Sequence, residues 1–266
     1  MIHWCAYCQR FLGEVAPVEV YDFTHGICER CSAERRIEDH AAIERIAPVR
    51  ALYLRIAGVV QTGHDEPADL LAEGLALGLA PVDLLMGMIQ PALYRMGQAW
   101  SAGEAAVHHE HALTAACSTL VTLLFERLPH LRALRQAPGP RVLLVNAEGN
   151  YHTLGLQVVE LLLLSHGVPT LAVVPGLPAR EVLALARSTR PVVLGVSVAL
   201  PTQYGSVREI ASLVGGLPDG ERPRVVAGGF AVKQGRELPA ESGFGVMPNP
   251  HDLLEIVGAP AVAAGR

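Results

Sequence analysis

Five short apolar runs recur after residue 140, each followed by a stretch with helical spacing. RVLLVNA precedes LGLQVVELLLLSHG, and TLAVVP precedes a helix from about Pro178. VVLGVSV, RVVAGG and FGVMP precede helices from about Gln203, Lys233 and His251. Strands alternating with helices in this way fold into a parallel sheet covered by helices on both faces. Such a sheet takes its ligands beyond the carboxyl ends of its strands, so the loops leaving those ends are where chemistry is expected.

Five strands fit an open, flavodoxin-like sheet over residues 140–266. The region before it has a different texture. From about Ser32 to Leu131 apolar residues recur three and four apart, as in IERIAPVRALYLRIAGVV and PVDLLMGMIQPALYRMGQAW. Pro48, Pro67, Pro81 and Gly103 fit helix starts or breaks, which gives four or five helices and a small bundle over 33–131. RALRQAPGP (132–140) has the composition of a linker. Residues 1–32 form a third segment of short β-prone pieces and turns. The expected class is therefore α/β: a small amino-terminal module, a helical bundle and a five-stranded parallel sheet.

Composition narrows the function. Half of the 266 residues are hydrophobic, which is enough for a sizeable core. The net charge is −5, and lysine occurs once, at Lys233, so no general affinity for nucleic acid or anionic lipid is implied. No apolar run reaches the roughly 18–20 residues that span a bilayer. The opening MIHWCAYC lacks the basic-then-apolar pattern of a signal peptide. The expected location is cytoplasmic, where cysteines stay reduced and serve as metal ligands more often than as disulfides.

Four of the five cysteines lie in the first segment, as Cys5-x-x-Cys8 and Cys28-x-x-Cys31. Two such knuckles bring four thiolates to one tetrahedral Zn²⁺, and about 30 residues need such a staple to hold a fold. Chance spacing or a redox CxxC is the competing explanation. A Cys₄ site leaves no coordination position open, so a structural zinc is expected. THGICERC resembles zinc-ribbon elements of bacterial signalling proteins. The first 50 residues carry eight acidic residues and six arginines, a balance that favours contact with another protein, or self-association, over direct DNA binding.

The first strand of the sheet leads into Glu148-Gly149-Asn150-Tyr151-His152-Thr153-Leu154-Gly155. A His in this loop can ligate the metal of a cofactor lying across the sheet edge, and a residue two before it can fix the imidazole tautomer. Gly155 lets a bulky ligand approach the backbone. Ser197 ends the third strand and Gly228-Gly229 the fourth, at the same edge. Singly, each has an ordinary explanation: a solvated loop His, or a Gly-Gly turn.

Together and in this order they resemble the cobalamin-binding domain, whose signature is acidic-x-His-x-x-Gly, then Ser-x-Leu, then Gly-Gly. Here it reads Asn150-x-His152-x-x-Gly155, Ser197-Val198-Ala199 and Gly228-Gly229. The resemblance implies that His152 ligates cobalt from below, in place of the dimethylbenzimidazole base. It also implies that Ser197 and the glycines line the slot for the displaced nucleotide tail. Asn150 stands where the family has an acid; its amide oxygen is expected to accept from the imidazole without a charge. Ala199 stands where the family has Leu, and Leu200 follows.

Within the helical stretch, Trp100 is followed after nine residues by Glu110-His111. A core Trp and a solvated Glu-His pair would explain them, and Glu104, His108 and His111 are spaced to share a helix face as a metal site requires. Upstream of a cobalamin domain, however, Trp-x9-Glu-His resembles the adenosylcobalamin-dependent photoreceptors of the CarH type. That resemblance implies adenosylcobalamin held between bundle and Rossmann-like domain, with Trp100, Glu110 and His111 around the adenosyl group. Ser101 stands where those photoreceptors carry a His. Met86, Met88, Met96 and Cys117 are expected in the bundle core.

The expected function is thus a non-enzymatic, cobalamin-binding light sensor with a zinc ribbon in place of a DNA-binding domain. A corrinoid methyl carrier of a methyltransferase system and a light-independent sensor of cobalamin level are the alternatives.

Overall fold

The structure is a computed structural model, and it describes residues 1–34, 41–58, 65–139, 141–235 and 243–258. It divides the chain once, into Met1–Arg127 and Leu128–Arg266.

The first unit opens with β1 (Ile2–Cys5), β2 (Phe11–Glu14) and β3 (Phe23–Gly26), in the order β2-β1-β3. β1 pairs antiparallel with β2 and parallel with β3. A short helix, α1 (Glu29–Ala33), starts at Cys28. Then come α2 (Ala42–Ala57), α3 (Pro67–Ala76), α4 (Pro81–Leu84), a π turn over Leu85–Ile89, α5 (Gln90–Ser101) and α6 (Val107–Glu126). Pro67 and Pro81 sit at helix starts, where the N–H they lack has no intrahelical partner anyway. Pro48 does not break a helix as expected; α2 runs through it. Its buried stripe of Ile46, Val49, Leu52, Tyr53 and Ile56 continues on both sides, and tertiary packing outweighs the lost hydrogen bond.

The π turn has a local cause. Pro91 cannot donate to the Gly87 carbonyl four residues back, and its ring would crowd that carbonyl, so the backbone widens there. Gly87 is also where the amino-terminal sheet packs. A Cβ at that position would lie 2.3 Å from Cζ2 of Trp4 and 2.9 Å from Cδ2 of Phe11. Trp4 is fully buried, stacked on Phe23 at 5.8 Å between ring centroids. Asp83 accepts the Phe11 N–H (3.1 Å), the Tyr53 hydroxyl donates to the Tyr21 carbonyl (2.7 Å), and Tyr21 stacks on Tyr94. The small sheet and the helices are therefore one packed body. Met86, Met88 and Cys117 lie in its core, as expected, while Met96 is only half-buried.

The second unit holds β4 (Val142–Asn146), β5 (Thr170–Val173), β6 (Val193–Ser197), β7 (Arg224–Gly228) and β8 (Gly245–Val246). The order is β5-β4-β6-β7-β8 and every pairing is parallel, which is the flavodoxin-like sheet expected from the alternation. Its helices are α7 (Pro129–Arg135), α8 (Thr153–Ser165), α9 (Ala179–Thr189), α10 (Tyr204–Gly215), α11 (Phe230–Lys233) and α12 (Asp252–Ile256). Side chains alternate between two cores. Leu143, Val145, Leu194 and Val196 face one side of the sheet, and Val142, Leu144, Val193 and Val226 face the other with Leu156 and Leu163 of α8.

Two expectations need correction. The stretch read as linker begins inside α7, which belongs to the second unit. Leu131 is fully buried there, and Arg135 pairs at 3.0 Å with Glu160, a buried residue of α8. Burial raises the Glu160 carboxyl, and Arg135 and the Ala172 N–H oppose that rise. The helix expected from about Lys233 instead ends at Lys233; it starts three residues earlier, at Phe230, after Gly229, whose φ of +103° turns the chain out of β7.

Candidate functional site

The carboxyl edge of the second sheet gathers the residues singled out in its loops. In register, Asn146 at the tip of β4 lies beside Ser197 at the tip of β6, and Ser197 beside Gly228 at the tip of β7. His152 is the residue before α8, with an exposed side chain. Gly155, in the first turn of α8, is exposed, and nothing lies within 4 Å of where its Cβ would be. A Cβ on Gly229 would meet Val198 O at 2.7 Å and Ser197 Oγ at 3.2 Å, so only glycine lets β6 and β7 end this close together. The structure thus brings His152, Asn150, Gly155, Ser197, Gly228 and Gly229 to one edge.

Asn150 has a different partner from the one expected. It is buried, its Oδ1 accepts the backbone N–H of His152 (3.0 Å), and its Nδ2 donates to Ser197 O (2.9 Å). It sews the loop to β6. A carboxylate could accept the first bond but would face the Ser197 carbonyl without a proton to give, which explains an amide at this position. Asn146 is also fully buried. Its Nδ2 donates to the carbonyl of Asn150 (3.1 Å) and lies 3.5 Å from that of His152. Its Oδ1 has no hydrogen-bond partner among the described residues. A buried acceptor left in this state costs about 1–3 kcal/mol.

Sequence reasoning missed Gln203. Its Oε1 accepts from Ala199 N (2.9 Å) and Leu200 N (3.0 Å), and its Nε2 donates to Gly149 O (3.1 Å). One buried amide therefore joins the loop after β6 to the loop carrying His152. The signal was the polar pair Thr202-Gln203 after Leu-Pro. Tyr151 was passed over as well, although it stands 79% exposed beside His152, an aromatic offered at the same edge.

In the first unit, Trp100 lies near the end of α5 and is 49% exposed, so it is not a core residue. The following turn is tight: Ala99 O accepts from Glu104 N (2.8 Å) and Ala105 N (3.2 Å). α6 starts at Val107, which leaves Glu104 off the helix that carries His108 and His111 and removes the shared helix face a metal would need. Glu110 and His111 meet directly: His111 Nε2 lies 3.5 Å from Glu110 Oε2, while Glu110 Oε1 accepts from Thr114 Oγ1 (2.8 Å). The Ser101 hydroxyl turns back onto Gly97 O (2.8 Å).

Cys5, Cys8, Cys28 and Cys31 converge, with every Sγ within 4.8 Å of the others. Cys8 and Cys28 lie 3.8 Å apart, the edge of a tetrahedron built on Zn–S bonds of about 2.3 Å. The Cys28 N–H donates to Cys5 Sγ and the Cys31 N–H to Cys28 Sγ, both at 3.4 Å, as thiolates require. Burial acts to raise the Cys5 thiol, but the N–H groups of Cys28, Cys8 and Tyr7 outweigh it and bring it down to about 7. Burial pushes Cys8 up to about 11, assisted by its hydrogen bond with Cys5. The donor set fits a structural divalent ion. It is the one cluster of three or more metal-ligating side chains found among the described residues.

Residues 59–124 match the family model described as B12 binding domain. That stretch covers most of the helical unit. No curated protein matches the chain. Among solved structures, the monomethylamine corrinoid protein of Methanosarcina barkeri is similar over 77% of this chain and 94% of its own, at 16% identity and a TM-score of 0.59. The two share a fold. Weaker similarities link the chain to the methanol:cobalamin methyltransferase complex of Methanosarcina barkeri (19% identity, 78% and 80% covered, TM-score 0.37). A cobalamin-binding protein of Desulfitobacterium hafniense is similar at the same level (14% identity, 79% and 89% covered, TM-score 0.37). No helix among the described residues is long and apolar enough to cross a membrane.

Proposed function

We propose that the chain is a cobalamin-binding light sensor that carries a structural zinc and has no turnover of its own. Cobalamin binding is supported by the family match over the helices, by the corrinoid-protein fold, and above all by an exposed His152 at the ligand edge of the sheet. The edge suits a large cofactor. There is open space over Gly155, the strands close together at Gly229, and a buried polar atom on Asn146 awaits a partner.

His152 would ligate cobalt from below, while Asn150 and Gln203 hold its loop against β6. Ser197, Gly228 and Gly229 would border the slot for the nucleotide tail. On the other ligand, Trp100 would pack against an adenosyl group, and Glu110, held by Thr114 and His111, would accept from its hydroxyls or amine. Bound adenosylcobalamin supplies a cobalt–carbon bond that visible light cleaves. The residues around Trp100 then lose the body they packed on, which biases the helical unit between two states. Ser101, bonded back to its own helix, is a poor cobalt ligand, and His108, His109, His111 or water would hold that position instead.

The test is an absorption spectrum and a scattering profile of the adenosylcobalamin-loaded protein before and after green light. Both change in this reading. A changed spectrum with an unchanged profile removes the switch and leaves the binding.

The fold likeness to a corrinoid protein favours a second reading, in which the chain carries methyl groups between methyltransferases. An exposed Trp100, followed in sequence by the paired Glu110 and His111, suits an adenosyl group better than a methyl group. Tighter binding of the methyl form, with transfer to a thiol acceptor, would establish the carrier.

A further inference from the structure

Two features of the His152 loop have one explanation. An imidazole that ligates a metal through one nitrogen presents its other N–H to an acceptor, which fixes the ring and raises its basicity. The residue placed two before the His is already engaged, its Oδ1 by the His152 backbone N–H and its Nδ2 by Ser197 O. Four residues earlier in the chain, a fully buried amide has a carbonyl oxygen with no partner among the described residues. That amide, Asn146, already touches the loop: its Nδ2 bonds Asn150 O and approaches His152 O. Swapping its oxygen and nitrogen would set an acceptor against those two carbonyls, so the orientation is fixed by the loop itself. By strand alternation Asn146 shares the face of Val142 and Leu144, the face covered by α8, whose first turn follows His152.

We propose that Asn146 is the positioning residue of this site: its Oδ1 accepts the ring N–H of His152 when the imidazole ligates cobalt. The role an acid holds two residues before the His is thereby moved to the tip of β4 and made neutral. This rests on the reading of His152 as the cobalt ligand.

Asp and Ala substitutions separate the two functions of the amide. Asn146→Asp keeps an acceptor and loses the donor to the loop, whereas Asn146→Ala loses both. The protein is loaded with cob(II)alamin, and nitrogen splitting in its electron paramagnetic resonance, checked with ¹⁵N-histidine, reports the imidazole bond. Expected for N146A is a roughly tenfold or greater loss of cobalamin affinity with weakened nitrogen splitting. N146D is expected to retain the splitting. Wild-type affinity and splitting in N146A overturn the proposal, as does an N146D protein that keeps the wild-type melting midpoint yet loses the splitting. The second outcome decides the matter even if N146A fails to fold. H152A is the control: if it keeps the splitting that ¹⁵N-histidine alters, the ligand assignment itself falls, and the proposal with it. If only H152A loses the splitting, the assignment stands and Asn146 has no part in it.

Discussion

Asp83 holds the amino-terminal sheet to the helices through one hydrogen bond to Phe11 N, and it does so while partly buried. Burial lifts its carboxyl to about 6, against the pull of the Phe11 and Ala80 N–H groups. An unfolded Asp titrates near 3.9. The folded state thus binds this proton more tightly, and the contribution to stability is full below about pH 4 and lost as pH rises through 6, by at most about 3 kcal/mol. Thermal unfolding of wild type and Asp83→Asn between pH 4 and 7 should show the wild type losing ground to the variant as pH rises; a constant difference contradicts this. Gly87→Ala tests the same contact sterically. With Trp4 Cζ2 2.3 Å from the new methyl, a loss of about 1–3 kcal/mol in denaturant unfolding is expected, and a neutral result would mean the sheet is not seated there. His152, Gly155, Ser197 and Gly228-Gly229 were legible because their order along alternating strands already places them at one edge. The partners of Asn150 were not legible, since residue type tells which bonds an amide can make and not which it makes. Gln203 was hidden for the same reason, and Asn146 read only as the end of an apolar strand.

At the scale of elements, periodicity disclosed the strands and the long helices. It failed where the buried side is narrow. α7 buries one leucine and leans on an ion pair whose acid, Glu160, lies 25 residues further along the chain, so its sequence shows only charge followed by Pro and Gly. Pro48 misled because a proline signals a break only when packing on either side does not continue. The π turn followed from Pro91 and Gly87 four residues apart, a spacing without meaning until Trp4 is seen against it. The cysteine knuckles were the opposite case, since their spacing carries the geometry with it. The protein is expected to hold one zinc per chain. Chelation should lower the melting midpoint by roughly 5 °C or more, the shift that about 2 kcal/mol gives a chain of this size. Cys8→Ser should lose the metal, whereas Cys117→Ser, a buried thiol outside the cluster, should keep it. Equal metal content in both variants would remove the site.

The whole molecule comprises two compact units. Residues 59–124 match a B12 binding domain by sequence, while 77% of the chain shares a fold with one corrinoid protein, at an identity too low to carry function by itself. Cobalamin binding therefore rests on what the chain offers at one sheet edge, and the proposed light sensing on an exposed Trp100 followed in sequence by Glu110 and His111. The most direct measurement is the affinity and absorption spectrum of cobalamin bound to His152→Ala beside the wild type. A loss of roughly tenfold or more in affinity, with a spectrum shifted to that of cobalt lacking an imidazole below, is predicted. Equal affinity and a superimposable spectrum would contradict the account.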